Sequence, residues 1–250
     1  MTEDSGGTAE SIDPPFGGMT TSFPAGGPSI PAYLQETYWW AYLHPKAIRV
    51  FEREWLVNLI LWGNMRRLTG LVLDQMAHLT SANVLQLACV YGDFSRRLAC
   101  CLEATKSQLH VVDIAPIQLN NVRQKLSGLD NFSLHHQDSS ELRFRSQLFD
   151  RSVLFFLLHE QPEDVRKKSI AEAIRVTRPG GTVIIVDYHG PHRSNPLRYV
   201  MYPILKRLEP FAMDLWHTSL VDYLPPYVKR SQLSHRLFFG GLYQQAIIRV

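Results

Sequence analysis

Between Val84 and Asp187 the chain repeats one pattern, and that repetition limits the fold more than any other feature. Short apolar runs of strand length alternate with longer segments of helical period. Val84–Cys89 reads as a first strand, followed after a turn by a helix through Leu102. Leu109–Asp113 is a second strand, Ile117–Leu126 a helix and Phe132–His135 a short third strand. Phe149–Leu158 is a fourth, long and apolar, as a central strand covered on both faces should be. Glu163–Val176 is a helix with Pro162 near its first turn, where a missing N–H costs nothing. Pro179, Gly180 and Gly181 turn the chain into a fifth strand, Thr182–Asp187. Repeated βα units of this kind predict an α/β fold, a doubly wound and mostly parallel sheet.

The flanks break the alternation. Residues 1–31, with Pro14, Pro15, Gly26, Gly27 and Pro28, cannot bury enough apolar surface to offset their ordering entropy and read as a disordered tail. Residues 32–250 read as one domain. Within it, 33–78 are aromatic, helical and almost free of glycine. There Ile48, Phe51, Trp55, Leu59 and Trp62 recur at helical spacing, as one amphipathic lid over the domain would require. Residues 190–230 are rich in aromatics and proline and read as a helical insertion capping the site. Gly240 and Gly241 separate two last strands, the second spanning Tyr243–Val250.

A chain of 250 residues can bury a sizeable core. Its formal charge is +3, unevenly spread: four of the 23 acidic residues (Glu3, Asp4, Glu10, Asp13) lie in the first 32 positions, which hold no Lys or Arg. The rest is basic but shows no basic stripe, which argues against nucleic acid. Cys89, Cys100 and Cys101 have neither metal-type spacing nor an even count, so reduced, buried thiols are expected. The acidic N-terminus argues against a presequence, and no apolar run reaches membrane-spanning length.

In open α/β sheets ligands sit beyond the carboxyl ends of the strands. Gln86–Gly92 lies where class I methyltransferases, which this order of segments resembles, carry an acidic residue and three alternate glycines. Only Gly92 survives; Ala88 is a tolerable replacement, whereas Val90 and Tyr91 keep a ligand from approaching the backbone. Asp113, with Ile114 after it, ends the second strand, where a carboxylate can accept both ribose hydroxyls or cap the following helix. Asp138 and Ser139 follow the third strand, the usual place for a contact to adenine. These positions, Ala88, Val90, Tyr91, Gly92, Asp113, Ile114, Asp138 and Ser139, are the expected S-adenosylmethionine site. The fourth strand runs into His159 and Glu160, the fifth into Asp187, Tyr188 and His189. Neighbouring strands would project both sets into one crevice. His159, Glu160, Asp187 and His189 suit a divalent ion such as Mn²⁺, Fe²⁺ or Zn²⁺, and His159, Tyr188 or His189 a general base.

Several segments together are more specific. Tyr38–Tyr42, Trp55–Ile60, Ala88–Asp93, Phe155–Glu160, Val186–His189, Leu208–Phe211 and Phe239–Tyr243 resemble the RquA family of rhodoquinone-biosynthesis proteins over residues 33–250. The resemblance implies a methyltransferase-like fold in which S-adenosylmethionine donates an amino group that replaces a ring methoxy group of ubiquinone, with manganese(II) (Mn2+) as the metal. The alternative is a methyltransferase acting on a quinone or other small apolar ring, and a rival of another class is a non-catalytic quinone- or nucleotide-binding protein. A quinone substrate further leads us to expect a cytoplasmic protein peripherally associated with the inner membrane. Tyr38–Trp62 and residues 195–227 are then expected to meet over the crevice as an apolar tunnel whose mouth faces the membrane.

Overall fold

The computed structural model describes residues 27–250. Most of the expected tail therefore lies outside the described residues, and 27–31 run without regular structure into α1 (Ala32–Thr37). A π-helical turn at Trp39–Leu43 follows, then α2 (Pro45–Phe51), α3 (Glu54–Ile60) and α4 (Met65–Leu73). The alternating region supplies β1 (Asn83–Leu87), α5 (Phe94–Glu103), β2 (Gln108–Asp113), α6 (Pro116–Lys125), β3 (Phe132–His136), β4 (Phe149–Phe155), α7 (Glu163–Val176) and β5 (Thr177–Tyr188). The insertion forms α8 (Leu197–Leu208) and α9 (Ala212–His217), and the chain closes with β6 (Leu233–Phe238) and β7 (Tyr243–Arg249).

Seven strands form one sheet in the order β3-β2-β1-β4-β5-β7-β6. The first five run parallel; β7 pairs antiparallel with β5 and β6 with β7. This is the doubly wound, mostly parallel α/β sheet that the alternation predicted, and it has the Rossmann-like class I methyltransferase arrangement that the resemblance implied. Strand alternation divides the core between the two faces. Val84, Val111, Val153, Phe155, Ile184 and Val186 pack against α4, α5 and α6, while Leu85, Leu87, Val112, Leu154 and Ile185 pack against α7. At Gly181 a Cβ would stand 2.8 Å from the Asp150 carbonyl oxygen, so only glycine lets β5 enter the sheet there. Strand order reverses at β1, whose neighbours β2 and β4 leave it in opposite directions, and a crevice opens at that point.

Three local expectations are corrected. The single amphipathic helix is two short ones: Arg53 is extended, and Glu52 accepts from Asn121 Nδ2 at 2.6 Å and pairs with Lys125 Nζ at 2.9 Å, tying that turn to α6. The apolar stripe thereby splits, Ile48 and Phe51 turning inward and Trp55 and Leu59 outward. The fourth strand stops at Phe155, because Phe156 takes a left-handed conformation (φ +54°) that turns the chain into the site. Cys100 is exposed, not buried; all three cysteines are free thiols.

Candidate functional site

Two clefts adjoin beyond the carboxyl ends of β1, β2, β4 and β5. The first, about 600 Å³, has a polar floor. Asp113 lies there, at the end of β2, with both oxygens engaged: Oδ2 accepts the Cys89 N–H at 2.7 Å and Oδ1 the Ala115 N–H at 2.8 Å. The carboxylate thus ties the β1 loop to the residue that precedes α6 and is not the helix's own N-cap, and each oxygen retains a further lone pair. Ala88, Ile114, Asp138 and Ser139 line the same cleft. Asp138 is shaped by its own turn, Oδ1 accepting from Ser140 N and Oγ at 2.7 Å each. Ala88 sits at φ +69°, a conformation natural to the glycine that class I enzymes place there.

The second cleft, about 750 Å³, has an apolar wall of Phe51, Val57, Leu61, Met65, Phe155 and Phe156 and a polar end. Val90 and Tyr91 belong to this wall and not to the first cleft. The Tyr91 ring lies between Tyr42 (5.5 Å, 8°) and Phe51 (5.7 Å), and its hydroxyl donates to the Ala41 carbonyl at 2.5 Å. Gly92 reaches neither cleft; its φ of +78° turns the loop toward α5, and its carbonyl accepts from Lys125 Nζ at 3.1 Å. Tyr42, Cys89 and Glu160 line both clefts. Tyr42 donates a short hydrogen bond to Glu160, and Gln118 braces it by donating to the Tyr42 carbonyl at 2.9 Å.

At the polar end of the apolar cleft, His159 Nδ1 donates to Asp187 Oδ1 at 2.9 Å, and Nε2 stands 3.7 Å from Glu160 Oε1. Asp187 is fully buried and also accepts the N–H groups of Leu158 (2.8 Å) and Tyr188 (2.7 Å). Burial alone would lower the His159 pKa, but the Asp187 charge and hydrogen bond, with Glu160, raise it to about 9. Burial likewise lifts the Glu160 carboxyl to about 8 despite the His159 charge. At neutral pH the pair therefore presents an imidazolium donor beside a carboxyl that holds its proton. Glu209, at the end of α8, lines the same cleft; burial raises its pKa, and its Oε2 has no hydrogen-bond partner. The Tyr38 hydroxyl faces Glu209 without completing a hydrogen bond.

Tyr188 lines the cleft as expected, but burial pushes its phenol far up, so it cannot serve as a base near neutrality. His189 does not join His159. Its Nδ1 donates to the Gly241 carbonyl at 2.9 Å, its ring lies by His235, and it lines neither cleft. The expected metal site therefore does not form. Asp187 spends its lone pairs on hydrogen bonds, His159 has only Nε2 left, and among the described residues no three His, Cys, Asp or Glu side chains are grouped to hold an ion. Sequence reasoning missed Tyr42, Gln118 and Glu209 as site residues. Glu209 alone left a trace, as the acidic residue before a proline within the aromatic insertion.

Residues 84–181 match the methyltransferase domain family. The chain is 30% identical over 116 residues to a demethylmenaquinone methyltransferase of Clavibacter sepedonicus, covering 46% of this chain and 45% of that one. It is 26% identical over 153 residues to a demethylmenaquinone methyltransferase of Staphylococcus aureus (strain MRSA252), covering 61% of each. The matches thus span about half to three-fifths of these relatives. Among solved structures, the N-methyltransferase NodS of Bradyrhizobium japonicum WM9, in complex with S-adenosylhomocysteine, is similar with a TM-score of 0.55, 14% identity and coverage of 82% of this chain and 96% of that one. An O-methyltransferase family protein of Burkholderia thailandensis gives 0.57, 17%, and coverage of 83% and 60%. At these identities the structures speak for the fold alone, which is that of the class I methyltransferases.

Proposed function

We propose that the chain is an S-adenosylmethionine-dependent transferase acting on the ring of a quinone or a similar small apolar ring, with methyl transfer as its reaction. The observation that carries this reading is the adjacency of two clefts, one holding Asp113 and Asp138 and the other walled by Phe51, Val57, Leu61 and Met65, that share Tyr42, Cys89 and Glu160. A donor nucleoside along Asp113 and Asp138 then meets a ring held among Phe51, Val57, Leu61 and Met65. Two relatives bearing the name demethylmenaquinone methyltransferase support a quinone acceptor. When bound, S-adenosylmethionine supplies an electrophilic methyl group. Asp113 holds the ribose. The acceptor is then the reduced, hydroquinone form of the ring. Glu160, in its carboxylate form, accepts the proton of a ring hydroxyl. The His159 imidazolium, kept charged by Asp187, donates from Nε2 to that oxygen and stabilises the negative charge that makes a ring carbon nucleophilic. The ring carbon takes the methyl as its bond to sulfur breaks, S-adenosylhomocysteine leaves, the displaced ring hydrogen restores the hydroxyl, and Glu160 passes the one proton released to solvent.

A second reading, conversion of ubiquinone to rhodoquinone with S-adenosylmethionine as amino donor, draws on one feature. Ala88 and Val90 stand where the cofactor loop has glycines, and the stacked Tyr91 ring beside them narrows the wall where a donor would approach. Manganese(II), which that resemblance implies, finds no fitting donor set among the described residues. In either reading the substrate's long apolar tail has the protein working in peripheral contact with the cytoplasmic face of the inner membrane. The test is mass spectrometry of the product formed with S-adenosylmethionine carrying a carbon label in its methyl group and a nitrogen label in its amino group. Carbon label in the ring product supports methyl transfer, and nitrogen label supports amination. A quinone left unlabelled by a chain that binds S-adenosylmethionine refutes both.

A further inference from the structure

Two stretches outside the central sheet leave large apolar side chains in solvent, and they meet. Trp55, Leu59 and Trp62, on α3 and just beyond it, are 61%, 64% and 38% exposed. On α8, Val200, Ile204 and Leu208 are each more than 40% exposed, and Tyr199 is 74% exposed. Spacings of four residues put Trp55 with Leu59, and Val200 with Ile204 and Leu208, on one helix face each. The two stripes adjoin at Trp62, whose Nε1–H points to Met201 Sδ at 3.0 Å. An apolar patch of this extent marks a surface that binds something.

We infer that α3 and α8 form a docking face for an anionic lipid bilayer. The apolar cleft opens on this face: Ile60 is 42% exposed on α3 and also lines the cleft, with Leu61 and Met65 behind it. Trp and Tyr suit a boundary where one end of the ring is dry and the other wet. Charge favours the same occupant. Residues 53–66 and 197–208 carry Arg53, Arg66, Arg198, Lys206 and Arg207 against a single acidic residue, Glu54. A two-fold contact with a second copy would set this basic rim against itself, whereas anionic headgroups neutralise it. Among the described residues no helix is long and apolar enough to cross a membrane, so the contact is one of lying on the surface. The inference goes beyond the proposed reaction and holds whichever group is transferred.

The experiment is co-sedimentation of the full chain with vesicles of phosphatidylglycerol and phosphatidylcholine, against phosphatidylcholine alone. Binding is expected to the anionic vesicles and to weaken with salt. Trp55→Ser with Leu59→Ser, and separately Tyr199→Ser with Ile204→Ser, should each lower partitioning at least about tenfold, since each removes two side chains' worth of buried apolar surface. All four side chains are outside the core, so affinity for S-adenosylmethionine should be unchanged and reports that the fold is kept. Failure of the wild type to sediment, retention of binding by both variants, or a concentration-dependent dimer abolished by either pair would overturn the inference. Turnover of a tailless quinone without vesicles separates the two claims: turnover without sedimentation sinks the docking face alone, and sedimentation without turnover sinks the quinone reading alone.

Discussion

Replacing Asp187 by Asn removes one charge from the centre of the site while keeping its shape. In the native protein Asp187 accepts the His159 ring N–H and the backbone N–H groups of Leu158 and Tyr188. Burial opposes the His159 charge, whereas Asp187, Glu160 and Glu209 favour it, with Asp187 the largest favourable part. The net effect raises His159 from the ordinary 6.5 to about 9, roughly 3 kcal/mol of preference for the imidazolium. With Asn the burial penalty remains and the compensating charge is gone, so the His159 pKa should fall below 6.5. The amide also presents N–H groups where the carboxylate accepted, and leaving a buried cation and backbone donors short of partners costs on the order of 3–5 kcal/mol. The sign of the pH dependence follows. A group whose pKa is raised on folding contributes stability fully below its unfolded value, and that contribution is lost as pH rises through the folded value. Native stability should therefore decline from about pH 6.5 to 9 through His159, and Glu160, raised to about 8, acts in the same direction. In Asp187→Asn the His159 contribution reverses, and stability is lost toward acid instead. NMR titration of the His159 ring protons, with urea unfolding at several pH values, measures both. An unchanged His159 titration in the variant would refute the assignment of Asp187 as the group that charges it.

Asp113→Ala should weaken S-adenosylmethionine binding at least tenfold by calorimetry, because hydrogen bonds to a charged group contribute about 1.5–3 kcal/mol; unchanged affinity would leave Asp113 only its bracing of Cys89 and Ala115. Ala88→Gly should stabilise the fold by about 1 kcal/mol in denaturant melts, since it relieves a left-handed alanine, and should preserve cofactor binding. His110 and His135 stack at 5.4 Å, and burial lowers both pKa values, that of His135 to about 4 with help from the His110 charge. A depressed histidine contributes stability above its unfolded pKa that is lost as pH falls, so melting temperature should drop between about pH 6.5 and 4, and less so in His135→Leu. Tyr42→Phe leaves Glu160 without its donor; turnover should fall while affinity for S-adenosylmethionine holds, as kcat and binding measurements would show.

The sheet was legible because its strands are nearly continuous apolar runs and its helices keep a strict period; Glu163–Val176 appears with the predicted ends. That Asp113, Asp138 and Ser139 share one cleft was legible because strand ends fix where a crevice opens. The helix broken at Arg53 was not, because the break comes from Glu52 reaching Lys125 and Asn121 on a distant segment. His159 and Asp187 meet as adjacent strand ends required, yet His189, two residues further, follows the Gly241 carbonyl out of the crevice. Adjacency in sequence reported the strand end but not the side-chain direction after it. Glu209 and Tyr42 reach the site from segments without periodic constraint, so no spacing announced them.

The most direct test of the account is a crystal structure with S-adenosylhomocysteine and a short-tailed quinone bound together. The account predicts the ribose on Asp113 and the adenine beside Ile114 and Asp138. The quinone ring should lie in the apolar cleft with an oxygen near His159 Nε2, facing the sulfur across the wall of Tyr42, Cys89 and Glu160. A nucleoside elsewhere, or a ring bound away from His159 and out of reach of the sulfur, would contradict it.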